Sequence, residues 1–265
     1  MSDTPQVPLY SVPFHIERKA SSGERTVSGV PLTIYESWHS NMVPEKMRDN
    51  IYKLLDTNPE FDYYLYSDDA SIKFIETNYE PEVANAFRTL IPGAYKSDLW
   101  RYCILYKMGG VYIDIKYYSV VPLIDIIRDN PVIFVRDRKG SCKEDIGLYN
   151  GFMVSPPGNS IFKYCIDDIV NSCKLKLYKS NSLDITGPCL LGDIVKKYKT
   201  KEYIDKIKFK FGSGHPLSPL SKVTMITYKG SDILRIYPEY RSEQRDSSKS
   251  THYRLSWFMK KVYTN

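Results

Sequence analysis

Strands and helices alternate along most of this chain, and that alternation predicts an α/β protein: a mixed, mostly parallel sheet flanked by helices. Three observations carry the prediction. Short apolar runs of strand length recur at 31–39, 61–66, 111–116, 131–135 and 151–155. Between them lie segments whose apolar residues follow a helical period, such as Leu99, Tyr102, Cys103, Leu105 and Tyr106. Glycine and proline punctuate the joins, as at Asn58-Pro59, Gly109-Gly110, Pro156-Pro157-Gly158 and Gly187-Pro188.

In order, residues 1–29 hold several prolines and no sustained period, and read as an N-terminal arm with a hairpin. Residues 30–265 read as one domain without repeats or a long linker. Its first core strand is Pro31 to His39. Met47, Ile51, Leu54 and Leu55 make one face of a helix from Pro44. Phe61 to Tyr66 is the next strand, and Ser67-Asp68-Asp69 offers caps for a short helix through Ile75. A helix over 81–90 precedes the helix around Asp98, which Gly109-Gly110 stops. Val111, Ile113 and Ile115 then alternate with Tyr112, Asp114 and Lys116, so Asp114 and Lys116 are expected on one side of a strand. Strands at 131–135 and 151–155, helices near 160–173 and 189–198, and strand-like pieces at 207–211, 223–228 and 233–236 complete the domain.

Composition excludes several classes. A chain of 265 residues with 42% hydrophobic content is long enough for a substantial core. No apolar run approaches the roughly 20 residues that a membrane span needs. With no leader pattern at Met1 to Pro8, the expected location is cytoplasmic. Five cysteines, Cys103, Cys142, Cys165, Cys173 and Cys189, show no Cys-x-x-Cys or Cys/His zinc spacing. That pattern argues against a disulfide framework and for a reducing compartment. The net charge of +6 suits a phosphate-bearing ligand or an anionic surface. Much of it lies between Lys196 and Lys210, where lysines alternating with apolar residues read as the solvent face of an edge strand rather than a nucleic-acid site.

The chemistry concentrates in Lys96-Ser97-Asp98-Leu99-Trp100-Arg101-Tyr102 and Gly109-Gly110-Val111-Tyr112-Ile113-Asp114-Ile115-Lys116. Asp98 and Arg101 share a helix face, and Asp114 arrives on the strand that follows. Charges this close to core elements are costly unless they bind something. This segment resembles the sugar-nucleotide signature of glycosyltransferase family 32. The resemblance extends to the first strand with Trp38, Asn58-Pro59, the Tyr-Leu-Tyr-Ser-Asp-Asp segment, Asn150-Gly151-Phe152, Thr186-Gly187-Pro188, His252 and Ser256-Trp257, about residues 31–257. The family includes fungal initiating mannosyltransferases and looks related to the glucosyltransferase domains of clostridial toxins.

The resemblance implies a GT-A fold and retaining transfer of a hexose or N-acetylhexosamine from a UDP- or GDP-sugar to a carbohydrate or glycoconjugate hydroxyl. It implies a divalent metal, Mn²⁺ or Mg²⁺, and neither a nucleic-acid partner nor a membrane span. Asp98 and Arg101 would contact the donor sugar, Tyr112 the nucleoside and Trp38 the base. Asp114 would open the Asp-x-Asp motif, with His252, Ser256 and Trp257 returning near metal and diphosphate. Asn150 would face the donor sugar, although an Asn-Gly pair is also an ordinary turn.

One departure is plain. The second aspartate of the motif is Lys116, which cannot ligate a cation while protonated. Asp114 with help from His252, a lysine pointing away, or a lysine replacing part of the metal's charge on the leaving phosphate all remain open. Two other readings compete: a metal-dependent nuclease using Asp98, Asp114 and Lys116, and an inactive sugar-nucleotide-binding module.

Overall fold

The computed structural model describes residues 8–19, 23–143, 147–199, 203–204, 207–213, 224–247 and 251–264. The chain begins with β1 (Leu9–Ser11), β2 (His15–Ile16), β3 (Thr26–Val27), β4 (Val30–Pro31), β5 (Thr33–Ser37) and β6 (Met42–Pro44). Next come α1 (Glu45–Thr57), β7 (Asp62–Tyr66), α2 (Asp68–Asn78), α3 (Pro81–Thr89), α4 (Gly93–Met108), β8 (Gly110–Ile113), β9 (Tyr117–Ser119) and α5 (Leu123–Asp129). The remainder is β10 (Ile133–Arg136), β11 (Leu148–Ser155), α6 (Ser160–Lys174), α7 (Pro188–Tyr198), β12 (Phe209–Ser213), β13 (Thr224–Tyr228) and β14 (Ser231–Ile236). Two helices near the C-terminal end, α8 (Tyr240–Ser247) and α9 (Tyr253–Phe258), follow.

Among the described residues one sheet dominates, in the order β2-β7-β5-β8-β11-β10-β12-β13-β14-β9. The α/β architecture with a mixed sheet flanked by helices is the one expected. Its parallel part is narrower than the alternation suggested: β5 runs parallel to β7 and β8, and β10 to β12, while the other ladders are antiparallel. Helices α1 and α2–α4 cross over between β5, β7 and β8; beyond β8, α5 lies between β9 and β10 and α6–α7 between β11 and β12, while the successive strands β10 and β11, and β13 and β14, pair antiparallel.

Those crossovers explain the two cores. The step from β5 to β7 goes one way along the sheet and the step from β7 to β8 goes the other. With one hand of crossover, α1 must then cover one face and α2–α4 the opposite one. Strand residues divide accordingly. Ile34, Val111, Ile113, Phe152 and Val154 pack with Met47 and Ile51 of α1, whereas Tyr35, Tyr112 and Met153 pack with the residues of α4 and α6.

Between Asp98 and Leu105 helix α4 is buried on all sides, with Asp98, Leu99, Trp100, Arg101, Tyr102, Cys103, Ile104 and Leu105 all inside. Such a helix has no solvent face on which to place a charge. It ends at Gly109 (φ 67°), whose N–H reaches Leu105 O, and Gly110 follows at φ 96°. Side chains would be strained at both, and a Cβ on Gly109 would press into Pro157 N at 2.5 Å.

The strand β8 stops at Ile113, one residue short of Asp114. Residues 114–116 turn the chain from the sheet centre to β9 at the far edge. So short a link spans at most about 14 Å, so the β12–β9 half of the sheet curls back over the end of β8. Asn50 of α1 pins the turn by donating to Ile115 O and Tyr117 O.

Several expectations change here. Lys116 does not share a strand face with Asp114 by alternation, because both lie in this turn. Asn150-Gly151 is not a turn but part of β11, paired with β8. The strand carrying Lys210, with Lys208 just before it, is not an edge, since β12 lies between β10 and β13; Lys206 falls outside the described residues. A disulfide joins Cys142 to Cys189, while Cys103, Cys165 and Cys173 are free and buried. An odd count therefore hides one bridge between segments distant in sequence, the stretch after β10 and the start of α7, and a reducing compartment is no longer indicated. Part of the N-terminal segment is woven into the domain, β1 pairing with β6 and β2 with β7. Among the described residues no helix is long and apolar enough to cross a membrane.

Candidate functional site

The site begins at the carboxyl ends of the parallel strands β5 and β8, where open α/β sheets leave a crevice. Into it α4 delivers Asp98 and Arg101, one turn apart. Arg101 is 6% exposed and joins both carboxylates: Nη2 lies 3.4 Å from Asp98 Oδ1, and Nη1 lies 3.3 Å from Asp114 Oδ1. The same Nη1 donates to Asn150 O (2.8 Å) and Nη2 to Ser97 Oγ (2.8 Å). Its guanidinium covers the Tyr112 ring at 4.3 Å.

Asp98 is anchored by three groups. Thr186 Oγ1 donates to Oδ2 at 2.7 Å and Asn150 Nδ2 to Oδ1 at 2.9 Å, with Arg101 beside it. Burial pushes its carboxyl upward, opposed by Arg101 and Thr186. Asp114 has the opposite balance. Burial works against its charge, yet Lys116 and Arg101 outweigh burial and hold the carboxyl well below the ordinary range. Lys116 Nζ donates to Asp114 Oδ2 at 2.6 Å, Tyr149 Oη to the same oxygen at 3.1 Å, and Tyr112 Oη to Oδ1 at 2.9 Å. Two carboxylates and two cations thus form one neutral, mostly buried chain. Its open end is the Asp114–Lys116 pair, with side chains 19% and 15% exposed.

Of the residues singled out in the sequence, the structure brings together Asp98, Arg101, Tyr112, Asp114, Lys116 and Asn150. Tyr112 lies beneath Arg101 with its hydroxyl on Asp114, a supporting position rather than an open stacking face. Trp38 follows β5 and packs into the α1-side core; its buried Nε1 has no partner among the described residues. The C-terminal residues stand apart. His252 caps α9 by accepting from Arg254 N–H (3.3 Å), Ser256 is buried in that helix, and Trp257 Nε1 donates to Tyr178 O (2.7 Å). This helix borders an open groove of about 570 Å³ with Ser180, Asn181 and Ser182. It connects to the charge chain through Tyr253, whose ring lies 5.8 Å from that of Tyr95 on α4.

Sequence reasoning missed roles for three residues. Thr186 was visible only as part of Thr-Gly-Pro, and nothing in the sequence ties it to Asp98. Tyr149 carries no signal beyond lying beside Asn-Gly. Glu36 reads as one residue of a core strand, yet it is fully buried with its Oε1 unpartnered among the described residues and Tyr63 Oη 2.8 Å from Oε2. Burial, against the Tyr63 hydrogen bond and with Asp114 nearby, raises its pKa to about 8.

The Mn²⁺ or Mg²⁺ that the resemblance implies does not fit the donor set present. Both oxygens of Asp114 already accept from protein donors, a cation occupies the place of the second aspartate, and His252 Nδ1 faces a backbone N–H. Among the described residues no three His, Cys, Asp or Glu side chains cluster to hold a metal ion. The nuclease alternative has no support in this geometry either, because Arg101 stands between its two carboxylates.

Comparison with known proteins finds glycosyltransferases. Residues 44–133 match the model of a glycosyltransferase sugar-binding region containing a DXD motif. Inositol phosphoceramide mannosyltransferase 3 of Schizosaccharomyces pombe is 32% identical over 88 residues, 33% of this chain and 24% of that protein. Inositol phosphoceramide mannosyltransferase 2 of the same yeast is 27% identical over 171 residues, 64% of this chain and 47% of that protein. An initiation-specific alpha-1,6-mannosyltransferase of Candida albicans is 28% identical over 132 residues, 48% of this chain and 33% of that protein. A solved structure, the PaToxG glycosyltransferase, superposes with a TM-score of 0.48 and 16% identity over 63% of this chain and 69% of that one. Over residues 44–133 the chain is thus similar to glycosyltransferases whose sugar-binding region contains a DXD motif. It spans less than half the length of the curated relatives named here.

Proposed function

We propose that this chain is a GT-A glycosyltransferase domain that moves a hexose or N-acetylhexosamine from a nucleoside diphosphate sugar to a hydroxyl of a glycan or glycolipid. The observation that carries the reading is the buried chain Asp98–Arg101–Asp114–Lys116 at the carboxyl end of β8. A neutral cluster that holds two carboxylates out of water is expensive as a purely structural device, and it suits recognition of a polar ligand. The names of the yeast relatives favour mannose as the sugar and a phosphoinositol-bearing lipid as the acceptor.

In this reading Asp98 accepts hydrogen bonds from donor-sugar hydroxyls while Thr186 and Asn150 fix its orientation. Arg101, too enclosed to move, sets the distance between Asp98 and Asp114. The indole N–H of Trp38, without a partner among the described residues, offers a hydrogen bond to a base carbonyl. Helix α9 and its groove, lined by His252 and Trp257 with Ser256 buried behind them, form the acceptor side.

Transfer breaks the bond from the sugar's anomeric carbon to the diphosphate oxygen, and the electron pair leaves with the phosphate. The acceptor hydroxyl oxygen bonds to that carbon from the same face, and its proton passes to the departing phosphate oxygen. Among the described residues both site carboxylates are already hydrogen-bonded and paired with cations, which disfavours either as a nucleophile, so front-face transfer with retention is the route adopted. Residues 30–265 serve as one catalytic domain, with the preceding strands bracing it.

A thermal-shift panel of UDP- and GDP-sugars tests this. A donor present at about 100 times its Kd adds about 2.7 kcal/mol of stability, a readily measured rise in Tm. A rise with sugars of one nucleotide class supports the reading; no rise with any of them sinks it.

A further inference from the structure

Lys116 occupies the position at which the motif otherwise carries its second carboxylate. We propose that its ammonium does the work of a divalent cation, so that this chain binds a nucleoside diphosphate and stabilises its release without a metal ion. The inference rests on the sugar-nucleotide reading above and concerns how that site neutralises phosphate.

Charge is the first argument. Replacing an aspartate by a lysine adds two positive charges, the same charge that a bound Mg²⁺ or Mn²⁺ brings to a pair of carboxylates. The cluster Asp98, Arg101, Asp114 and Lys116 is neutral as it stands. A cation added to it would leave two uncompensated positive charges in a buried place, beside an ammonium and a guanidinium that repel it.

Geometry is the second. A cation site needs free oxygen lone pairs converging from several ligands. Asp114 offers none readily: Oδ2 accepts from Lys116 and Tyr149, and Oδ1 from Tyr112 with Arg101 3.3 Å away. Lys116, in contrast, is held like a fixed reagent. Its Nζ lies 5.2 Å from the Tyr117 ring centroid, 5.5 Å from that of Tyr149 and 6.0 Å from that of Tyr240. Three aromatic walls and one carboxylate restrict its rotamers, so little side-chain entropy remains to be lost when a phosphate arrives. An ammonium has three N–H donors, and Asp114 takes one of them. The others are available to diphosphate oxygens as negative charge builds on the leaving group.

The test is calorimetric titration of GDP and UDP into purified protein, with excess chelator or with excess Mn²⁺, alongside paramagnetic resonance to count bound Mn²⁺. In the wild type, affinity for the nucleotide that binds stays within about threefold between the two conditions, and no stoichiometric Mn²⁺ is retained. Lys116→Asp, which restores two carboxylates, loses about tenfold or more in chelator, regains binding with Mn²⁺ and holds the ion. Lys116→Arg keeps chelator-resistant binding, which shows that charge rather than fold is being read. A wild-type affinity that rises tenfold or more with Mn²⁺, or one tightly held Mn²⁺ in the wild type, overturns this inference and leaves the transferase reading intact. Binding of neither nucleotide under either condition overturns both.

Discussion

Asp114 occupies the space a side chain at Gly151 would fill. A Cβ at Gly151 would lie 2.5 Å from Asp114 Oδ2 and would also press on the Tyr149 hydroxyl. Neither neighbour can yield cheaply. Asp114 is held by Lys116, Arg101 and Tyr112, and the Tyr149 ring is stacked on Phe211 at 4.1 Å. Gly151→Ala therefore displaces the carboxylate while β11 stays in the sheet. The expected result is a fall in transfer of about 100-fold or more, since small misplacements of reacting groups have effects of that size. Circular dichroism should be nearly unchanged.

Arg101 cannot be replaced by lysine. One guanidinium reaches Asp98, Asp114, Asn150 O and Ser97 Oγ at once, a fork that an ammonium cannot reproduce. Arg101→Lys should leave Asp98 poorly paired, cost about 3 kcal/mol or more in stability and remove most transfer. Asp98→Asn keeps the shape of the side chain but loses its charge, so it should abolish transfer with a smaller drop in Tm. Chemical denaturation and a transfer assay on both variants separate the two effects.

Glu36 makes the fold pH-sensitive. Its folded-state pKa is raised to about 8 by burial, so its contribution to stability is complete below the ordinary carboxylate pKa. As pH rises toward 8 the unfolded chain ionises while the folded one stays protonated, and stability falls by about 1.4 kcal/mol per pH unit. Above about 8 the folded state ionises as well and the slope levels off. Glu36→Gln keeps an acceptor for Tyr63 and removes the titration. The variant should melt several degrees above the wild type at pH 8 and close to it at pH 4, read by thermal denaturation across that range.

The Cys142–Cys189 bridge closes a loop of sequence separation 47 between the segment after β10 and the start of α7. A loop of that length implies about 4 kcal/mol of stabilisation on chain-entropy grounds. Reduction, or Cys142→Ser, should lower the Tm measurably. Alkylation of denatured, unreduced protein should label three cysteines, Cys103, Cys165 and Cys173.

The signature helix and the strand after it were legible because their periods are clean and Gly109-Gly110 separates them sharply. The meeting of Asp98, Arg101 and Asp114 followed from that local order. What lay beyond it depends on contacts between distant segments. Thr186 reaches Asp98 across 88 residues and Tyr149 reaches Asp114 across 35, and no local pattern records either. Asn150-Gly151 resembled a turn because the pair is common there, whereas the glycine is required by Asp114 in the turn that follows the neighbouring strand. Helix α8, Tyr-Arg-Ser-Glu-Gln-Arg-Asp-Ser, has no apolar face to show a period. The disulfide depends on tertiary approach alone, a Cα–Cα separation of 5.5 Å that spacing does not encode.

The most direct measurement is release of nucleoside diphosphate and appearance of glycosylated product from GDP- and UDP-sugars, comparing the wild type with Asp114→Ala. Transfer from one nucleotide class by the wild type, and none by a folded Asp114→Ala, is the expected result. Equal turnover in both proteins, or none in the wild type with any donor and glycan or glycolipid acceptor, would contradict it.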